Sequence, residues 1–320
     1  MQMMKNIFRG VGQVMFQGNA LSGALMLAGI GCNSLLMCIF ALAGSAIGTC
    51  TAVALRYDAK NIQNGLYGFN ATLVGIAVPC FMPIHAASVL LMVVACVLSA
   101  LVTRLFERQR FVPTLTAPFV LITWAMLLLS HVFPQLQLPA TTAAGSAESF
   151  SLIRAASLSF GQIMLQGNNL LTGLLFLLAI CVNSRKMGVE SLVACGLCLA
   201  VVSVPFVSTT SVNNGMYGYN AILAVLAVAN ILGVGSCTHV KALIALLLSL
   251  LMQYAGLHMG FVTLTAPFVL SVWLVVEKPL YFDPFGQIEF APVGHNIIAP
   301  CKVLVQGSIL FYPFRDSGFS

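Results

Sequence analysis

Uncharged hydrogen-bonding side chains recur in pairs along this chain, at one nearly fixed separation. Gln13 lies in Gly12-Gln13-Val14-Met15-Phe16-Gln17-Gly18-Asn19, and Gln162 in Gly161-Gln162-Ile163-Met164-Leu165-Gln166-Gly167-Asn168. Asn64-Gly65-Leu66-Tyr67-Gly68-Phe69-Asn70-Ala71 returns as Asn214-Gly215-Met216-Tyr217-Gly218-Tyr219-Asn220-Ala221. Thr114-Leu115-Thr116-Ala117-Pro118-Phe119-Val120 returns as Thr263-Leu264-Thr265-Ala266-Pro267-Phe268-Val269. Three blocks in order at an offset of 149 or 150 mark a duplicated unit of about 135–150 residues. Amides and hydroxyls of this kind donate and accept hydrogen bonds without carrying charge. They suit the recognition of a neutral polar molecule.

Each pair has a plain structural reading beside the functional one. Proline removes a backbone donor and frees a carbonyl to bind something else, and Thr116 and Thr265 add hydroxyls just before it. The plain alternative is helix initiation, with Thr as N-cap and Pro in the first turn. Phe69 and Leu73 are four apart, as are Tyr219 and Leu223, so each pair presents an aromatic and an aliphatic group on one helix face. Ordinary packing explains a single such pair; repetition raises the functional odds. On a helix, Gln13 and Phe16 lie one turn apart, as do Gln162 and Leu165. Short helices entering from opposite faces form pores and transport sites, whereas an interfacial amphipathic helix would lie on the surface.

The residues needed for other chemistry are placed elsewhere. All eight acidic residues (Asp58, Glu107, Glu148, Glu190, Glu277, Asp283, Glu289 and Asp316) fall in expected loops, span ends or tails. No basic residue falls in mid-span. Intramembrane ionisable groups mark proton relays and ion coupling, so downhill movement of a neutral solute fits better than active ion transport. The five histidines (His85, His131, His239, His258 and His295) form no pair on one helix face. No catalytic constellation is visible, and neither a metal nor another cofactor is expected.

The elements that carry these residues follow from composition. Hydrophobic residues make up 59% of the chain and charged residues 7%, with a mean hydropathy of +0.99, which excludes a soluble protein of this length. The expected fold is an all-α multi-pass membrane protein. Apolar runs place spans near 20–39, 40–56, 68–83, 86–104 and 116–134, and near 170–184, 191–208, 218–236, 240–257 and 265–277. Five spans per repeat is odd, so the second repeat is inverted relative to the first. With the N-terminus in the cytoplasm, thirteen of the fourteen basic residues fall inside and only Arg154 outside, as the positive-inside rule requires. The net charge of +6 is therefore loop bias and not a nucleic-acid footprint. The ten cysteines, including Cys195 and Cys198, read as small hydrophobes within apolar runs. The first apolar run resembles a signal peptide, but residues 12–34 recur at 161–184 in mid-chain, which argues against targeting. The expected division is residues 1–149, a first repeat with a Ser/Thr/Ala linker; 150–285, the inverted repeat; and 286–320, a cytoplasmic tail.

These blocks resemble the urea transporter family. Its L-P-x-x-T-x-P-F signature is represented by Val112-Pro113-Thr114-Leu115-Thr116-Ala117-Pro118-Phe119 and, without the first proline, by Phe261-Val262-Thr263-Leu264-Thr265-Ala266-Pro267-Phe268. The N-G-x-Y-G-[FY]-N-A and G-Q-x-x-x-Q-x-N stretches are also similar to that family, and the resemblance covers roughly residues 10–280. It implies ten spanning helices plus two re-entrant half-helices in two inverted repeats, assembled as a homotrimer with one pore per subunit. It implies urea as substrate, moving passively along a ladder of carbonyl and side-chain oxygens. Gln13 and Gln162 would lie at the two mouths. Phe16 and Leu165, Phe69 and Tyr219, and Leu73 and Leu223 would form flat slots, with Thr116 and Thr265 at the middle constriction. A bacterial inner membrane, with both termini cytoplasmic and lipid around the spans, is the expected setting. The alternatives are a channel for another small neutral solute, such as an amide, ammonia or water, and a solute-binding membrane sensor without a through-path.

Overall fold

The computed structural model describes residues 2–109, 111–138, 149–202, 207–233 and 235–276. Every regular element among them is helical. The first half contains α1 (Gln2–Gln13), α2 (Ala20–Asn33), α3 (Leu35–Ala54), α4 (Ala59–Gln63), α5 (Gly68–Phe81), α6 (Ala86–Arg108) and α7 (Ala117–Val132). The second half repeats the order with α8 (Leu152–Gly161), α9 (Leu170–Asn183), α10 (Arg185–Val202), α11 (Thr209–Asn213), α12 (Gly218–Leu232), α13 (Ser236–His258) and α14 (Ala266–Val275). The expected tail, 286–320, and most of the expected linker lie outside the described residues.

A spanning helix needs about 20 apolar residues. Helices over Leu35–Ala54, Ala86–Arg108 and Cys237–His258 meet that length and composition. Six further apolar helices are shorter; α2, with 14 residues, is roughly 21 Å long at the usual rise. The expected boundary between the first two spans, near 39–40, is displaced to Ser34. Its backbone is extended, it ends α2, and its hydroxyl accepts from Met37 N at 3.3 Å to begin α3. Ser184 does the same between α9 and α10. Consequently Glu190, expected at a span end, stands inside α10, 3.5 Å from Lys186.

Two helices form the centre. Gly68–Val78 of α5 are buried without interruption, and α12 is buried almost as completely. A helix apolar on every face belongs inside. The first of these packs backbone to backbone on α3. A Cβ on Gly44 would lie 2.2 Å from the Ala71 carbonyl oxygen, and one on Gly48 2.3 Å from that of Tyr67. Close approach through small residues strengthens helix association where lipid supplies no hydrophobic drive.

Both central helices start from the same turn. Gly65 and Gly215 take φ values of +79° and +72°, a left-handed conformation that glycine adopts without steric cost. A Cβ on Gly65 would also lie 2.5 Å from Gly10 N, where α1 crosses. Eight described cysteines, among them Cys195 and Cys198, are free.

Gly65→Ala is expected to destabilise the protein by at least about 1–2 kcal/mol, read as a lower unfolding temperature in detergent. Gly196→Ala, where a Cβ meets nothing within 4 Å, is the control expected to leave that temperature unchanged or raised.

Candidate functional site

The site begins where two helices start inside the protein. Pro118 and Pro267 stand in the first turns of α7 and α14, as expected of helix starts. Thr116 and Thr265 occupy the N-cap positions but make no capping bond. Capping needs an extended backbone, and both threonines have ψ near zero, at 19° and 17°. Their hydroxyls meet each other instead, 2.6 Å apart and both buried. The Thr-as-N-cap alternative is thus correct for position and incorrect for the side chain.

The orphan amides at these helix starts are satisfied from the neighbouring central helices. Phe119 N donates to Asn70 Oδ1 at 3.2 Å, and Phe268 N to Asn220 Oδ1 at 3.2 Å. The same asparagines donate through Nδ2 to the carbonyls of Leu115, at 3.3 Å, and Leu264, at 3.2 Å. Leu115 and Leu264 take φ of 44° and 49°, unusual for residues with a side chain.

A second strained pair lies in the glutamine stretches. Phe16 and Leu165 have φ of 61° and 60°. The expectation that Gln13 to Gln17 is helical, with Gln13 and Phe16 on one face, is corrected here. Helix α1 stops at Gln13, and Phe16 N closes a three-residue turn on the Gln13 carbonyl at 3.0 Å. Leu165 N closes the same turn on Gln162. The reason is tertiary. Gln17 Nε2 binds the Met15 carbonyl at 2.6 Å while its Oε1 accepts from Asn183 at 2.8 Å. Gln166 binds the Met164 carbonyl at 2.7 Å and accepts from Asn33 at 2.7 Å. Each half therefore holds the other half's turn.

Reciprocity runs through the whole junction. Ser22 Oγ donates to the Ala179 carbonyl at 2.7 Å, and Thr172 Oγ1 to the Gly29 carbonyl at 2.8 Å. Trp124 Nε1 donates to the Val262 carbonyl at 2.8 Å, and Trp273 Nε1 to the Pro113 carbonyl at 2.9 Å. The chain has only these two tryptophans, 149 positions apart, so the offset alone would have pointed to them. The same offset test would have found Asn33 with Asn183, and Asn70 with Asn220.

Of the ten residues expected from sequence, Gln162, Leu165 and Tyr219 line one cavity of about 640 Å³. Thr263, Leu264 and Asn33 line it as well, and no charged side chain is among its lining residues. Gln162 Nε2 donates to the Asn214 carbonyl at 3.1 Å, fastening the glutamine turn to the Asn-Gly turn. Phe16 stands edge-on to Phe268, 6.3 Å between ring centres. Phe69 is buried, and Leu73 and Leu223 are fully buried. These three, with Gln13, Phe16, Thr116 and Thr265, do not border the cavity.

The halves differ away from the junction. Glu107, at the end of α6, accepts hydrogen bonds from Arg104, Asn61 and Tyr67, and Arg104 lies over the Tyr57 ring. Burial, and next the Glu107 carboxylate, push the Tyr67 phenol up, so it stays a protonated donor. At the matching place, Leu257 lines the cavity.

Long apolar helices around a buried, uncharged polar junction define an all-helical membrane protein. The urea transporter profile matches residues 4–277, and the chain belongs to the urea transporter family. It is 28% identical to urea transporter 1 of Rattus norvegicus over 328 residues, covering 91% of this chain and 82% of the relative. Urea transporter 1 of Ovis aries is 26% identical, with 95% and 85% covered, and that of Mus musculus 27%, with 88% and 77% covered.

Asn70→Leu removes one acceptor and one donor from a buried helix start. It is expected to cost about 1–3 kcal/mol, seen as a fall in unfolding temperature with tryptophan emission shifting as the half-to-half contacts of Trp124 and Trp273 loosen.

Proposed function

We propose that this protein is a passive, channel-like urea transporter. The observation that carries the reading is the contact of Thr116 with Thr265, where two helix starts meet among uncharged acceptors in a chain of this family. The relatives named above are called urea transporters. In this reading Gln13 and Gln162 stand at the two mouths. Phe16 and Leu165, Phe69 and Tyr219, and Leu73 and Leu223 form flat slots. Thr116 and Thr265 form the middle constriction, with carbonyls along the helix starts as the oxygen ladder.

The physics supports urea over an ion. Urea is planar, neutral and rich in N–H donors. An unpaired polar group taken from water costs roughly 2–7 kcal/mol, and a line of acceptors offsets the N–H part. Each helix N-terminus carries roughly half a positive charge. Two such ends facing one another disfavour a cation, and Asn70 and Asn220 already take up the Phe119 and Phe268 amides that would otherwise hold an anion. Several weak sites in series let a solute both enter and leave.

The same proposal covers the arrangement in the membrane. It has ten spans and two re-entrant half-helices, in inverted repeats over 1–149 and 150–285, with 286–320 as a cytoplasmic tail. Reciprocal contacts such as Asn33 with Gln166 and Asn183 with Gln17 are what a two-fold relation between halves produces. A homotrimer in a bacterial inner membrane, both termini cytoplasmic, completes the proposal.

Purified protein in vesicles is expected to speed urea-driven volume change in stopped flow well above protein-free vesicles. Urea flux equal to that of empty vesicles overturns the proposal, and faster flux of ammonia or water than of urea favours another neutral solute. Thr116→Val is expected to slow urea roughly two- to ten-fold, the value of one neutral hydrogen bond, with unchanged elution on gel filtration; an unaltered rate removes the threonine from the mechanism.

A further inference from the structure

The two halves are not chemically equal beside the threonine pair. Where α5 carries Phe69, α12 carries Tyr219. The Tyr219 hydroxyl donates to the Leu264 carbonyl at 2.7 Å, and Asn220 Nδ2 donates to the same oxygen at 3.2 Å. A carbonyl oxygen has two lone pairs, so Leu264 is fully engaged. In the first half the Leu115 carbonyl accepts from Asn70 at 3.3 Å, and among the described residues from no other donor. Phe69 brings no hydroxyl to it. One side therefore keeps an open carbonyl, and the other has a carbonyl closed by a phenol.

The phenol is held by residues that also differ between halves. Gln253 lies 150 positions after Thr103 and is fully buried. Its Oε1 accepts from Thr263 Oγ1 at 2.8 Å and Asn220 Nδ2 at 3.0 Å, and lies 3.4 Å from the Tyr219 hydroxyl. Among the described residues its Nε2 is buried without a hydrogen-bond partner. An unmet buried donor costs stability, so this amide is not there for stability alone. Thr103 likewise accepts from Asn70 Nδ2, at 3.3 Å, but donates its hydroxyl back to the Ser99 carbonyl at 2.8 Å and reaches no phenol. Tyr219, Thr263 and Leu264 all line the cavity, so the difference faces the space a solute would occupy.

We propose that Tyr219 is a specificity-determining residue that makes the second-half constriction the more discriminating of the two, with Gln253 as its positioning residue. The inference rests on the urea reading above. By donating to Leu264, the phenol replaces a carbonyl acceptor with its own oxygen and fills the space a second substituent would need. An unsubstituted –NH2 group passes by donating to that oxygen. N-methylation removes one of the two N–H donors on that nitrogen and sets a methyl group against the hydroxyl. The first half, with an open carbonyl and no hydroxyl, discriminates less. The ligand class is thus urea and primary amides in which no nitrogen carries a substituent.

The test is the flux ratio of N-methylurea to urea in vesicles containing the full chain. Tyr219→Phe is expected to raise that ratio roughly two- to ten-fold, the worth of one neutral hydrogen bond, and Phe69→Tyr to lower it. Gln253→Met is expected to move the ratio in the direction of Tyr219→Phe. If Gln253 were only structural, both fluxes would fall together and the ratio would stay fixed, which overturns its role. An unchanged ratio in Tyr219→Phe, with wild-type urea flux intact, overturns the inference and leaves the urea reading standing. Absence of urea flux in the wild type overturns both. Should Tyr219→Phe fail to fold, Phe69→Tyr carries the test, and an unchanged ratio there overturns the inference.

Discussion

A helix that starts inside a membrane protein exposes amide groups that water cannot reach. In an apolar surrounding each unmet group costs several kcal/mol. Helices α7 and α14 both start in this way, and much of the fold answers that need. Pro118 and Pro267 remove one donor each at the outset. Asn70 and Asn220 accept from the amides that remain, and return a bond to the carbonyls of Leu115 and Leu264. An asparagine can do this only from a helix already at the centre, which is why α5 and α12 are buried along their length. Those helices in turn need a tight entry, supplied by the left-handed Gly65 and Gly215.

Meeting the need with asparagine has a chemical consequence. The threonines are released from capping, so their hydroxyls turn toward each other across the junction. Every group left at this point is a neutral donor or acceptor. A carboxylate as cap would have satisfied the same amides more strongly. It would also have placed a charge in a low-dielectric site, attracting cations and raising the cost of a neutral solute's departure. The uncharged solution therefore suits weak binding of a neutral molecule better than tight binding of an ion.

Much of this was legible in the chain. The constant offset exposed the two halves and most of the paired residues, because a duplicated unit keeps its contacts in register. Apolar runs located the long helices, since length and hydropathy are local properties. What could not be read was set by contacts distant in sequence. In the run from Ala20 to Ala43 the polar pair Asn33-Ser34 is too short to lower the average hydropathy of a whole span, so the break at Ser34 was not read from it. The Gln13–Phe16 turn looked helical because nothing local forbids a helix there. Its left-handed Phe16 is held by Gln17, itself held by Asn183 from the other half. The partner of the Thr116 hydroxyl is 149 residues away, and spacing alone left its capping role open.

Where the halves have stayed alike and where they have diverged follows from the same geometry. A residue at the junction contacts the copy of its own neighbour. A change there disturbs both halves at once, as it would for Asn33 and Asn183 or for the two tryptophans. A residue away from the junction has partners only in its own half and can change alone. Gly44 and Gly48, which bring α3 against α5, have Ala194 and Cys198 as counterparts. Glu107 has Leu257 in its place, and its donors Arg104 and Asn61 have Tyr254 and Ser211. Tyr219 lies between these cases. Its ring keeps the place of Phe69, so the packing survives, while its hydroxyl bonds only within its own half. That is the position at which a duplicated unit can acquire two different chemistries without losing the contacts that hold the halves together.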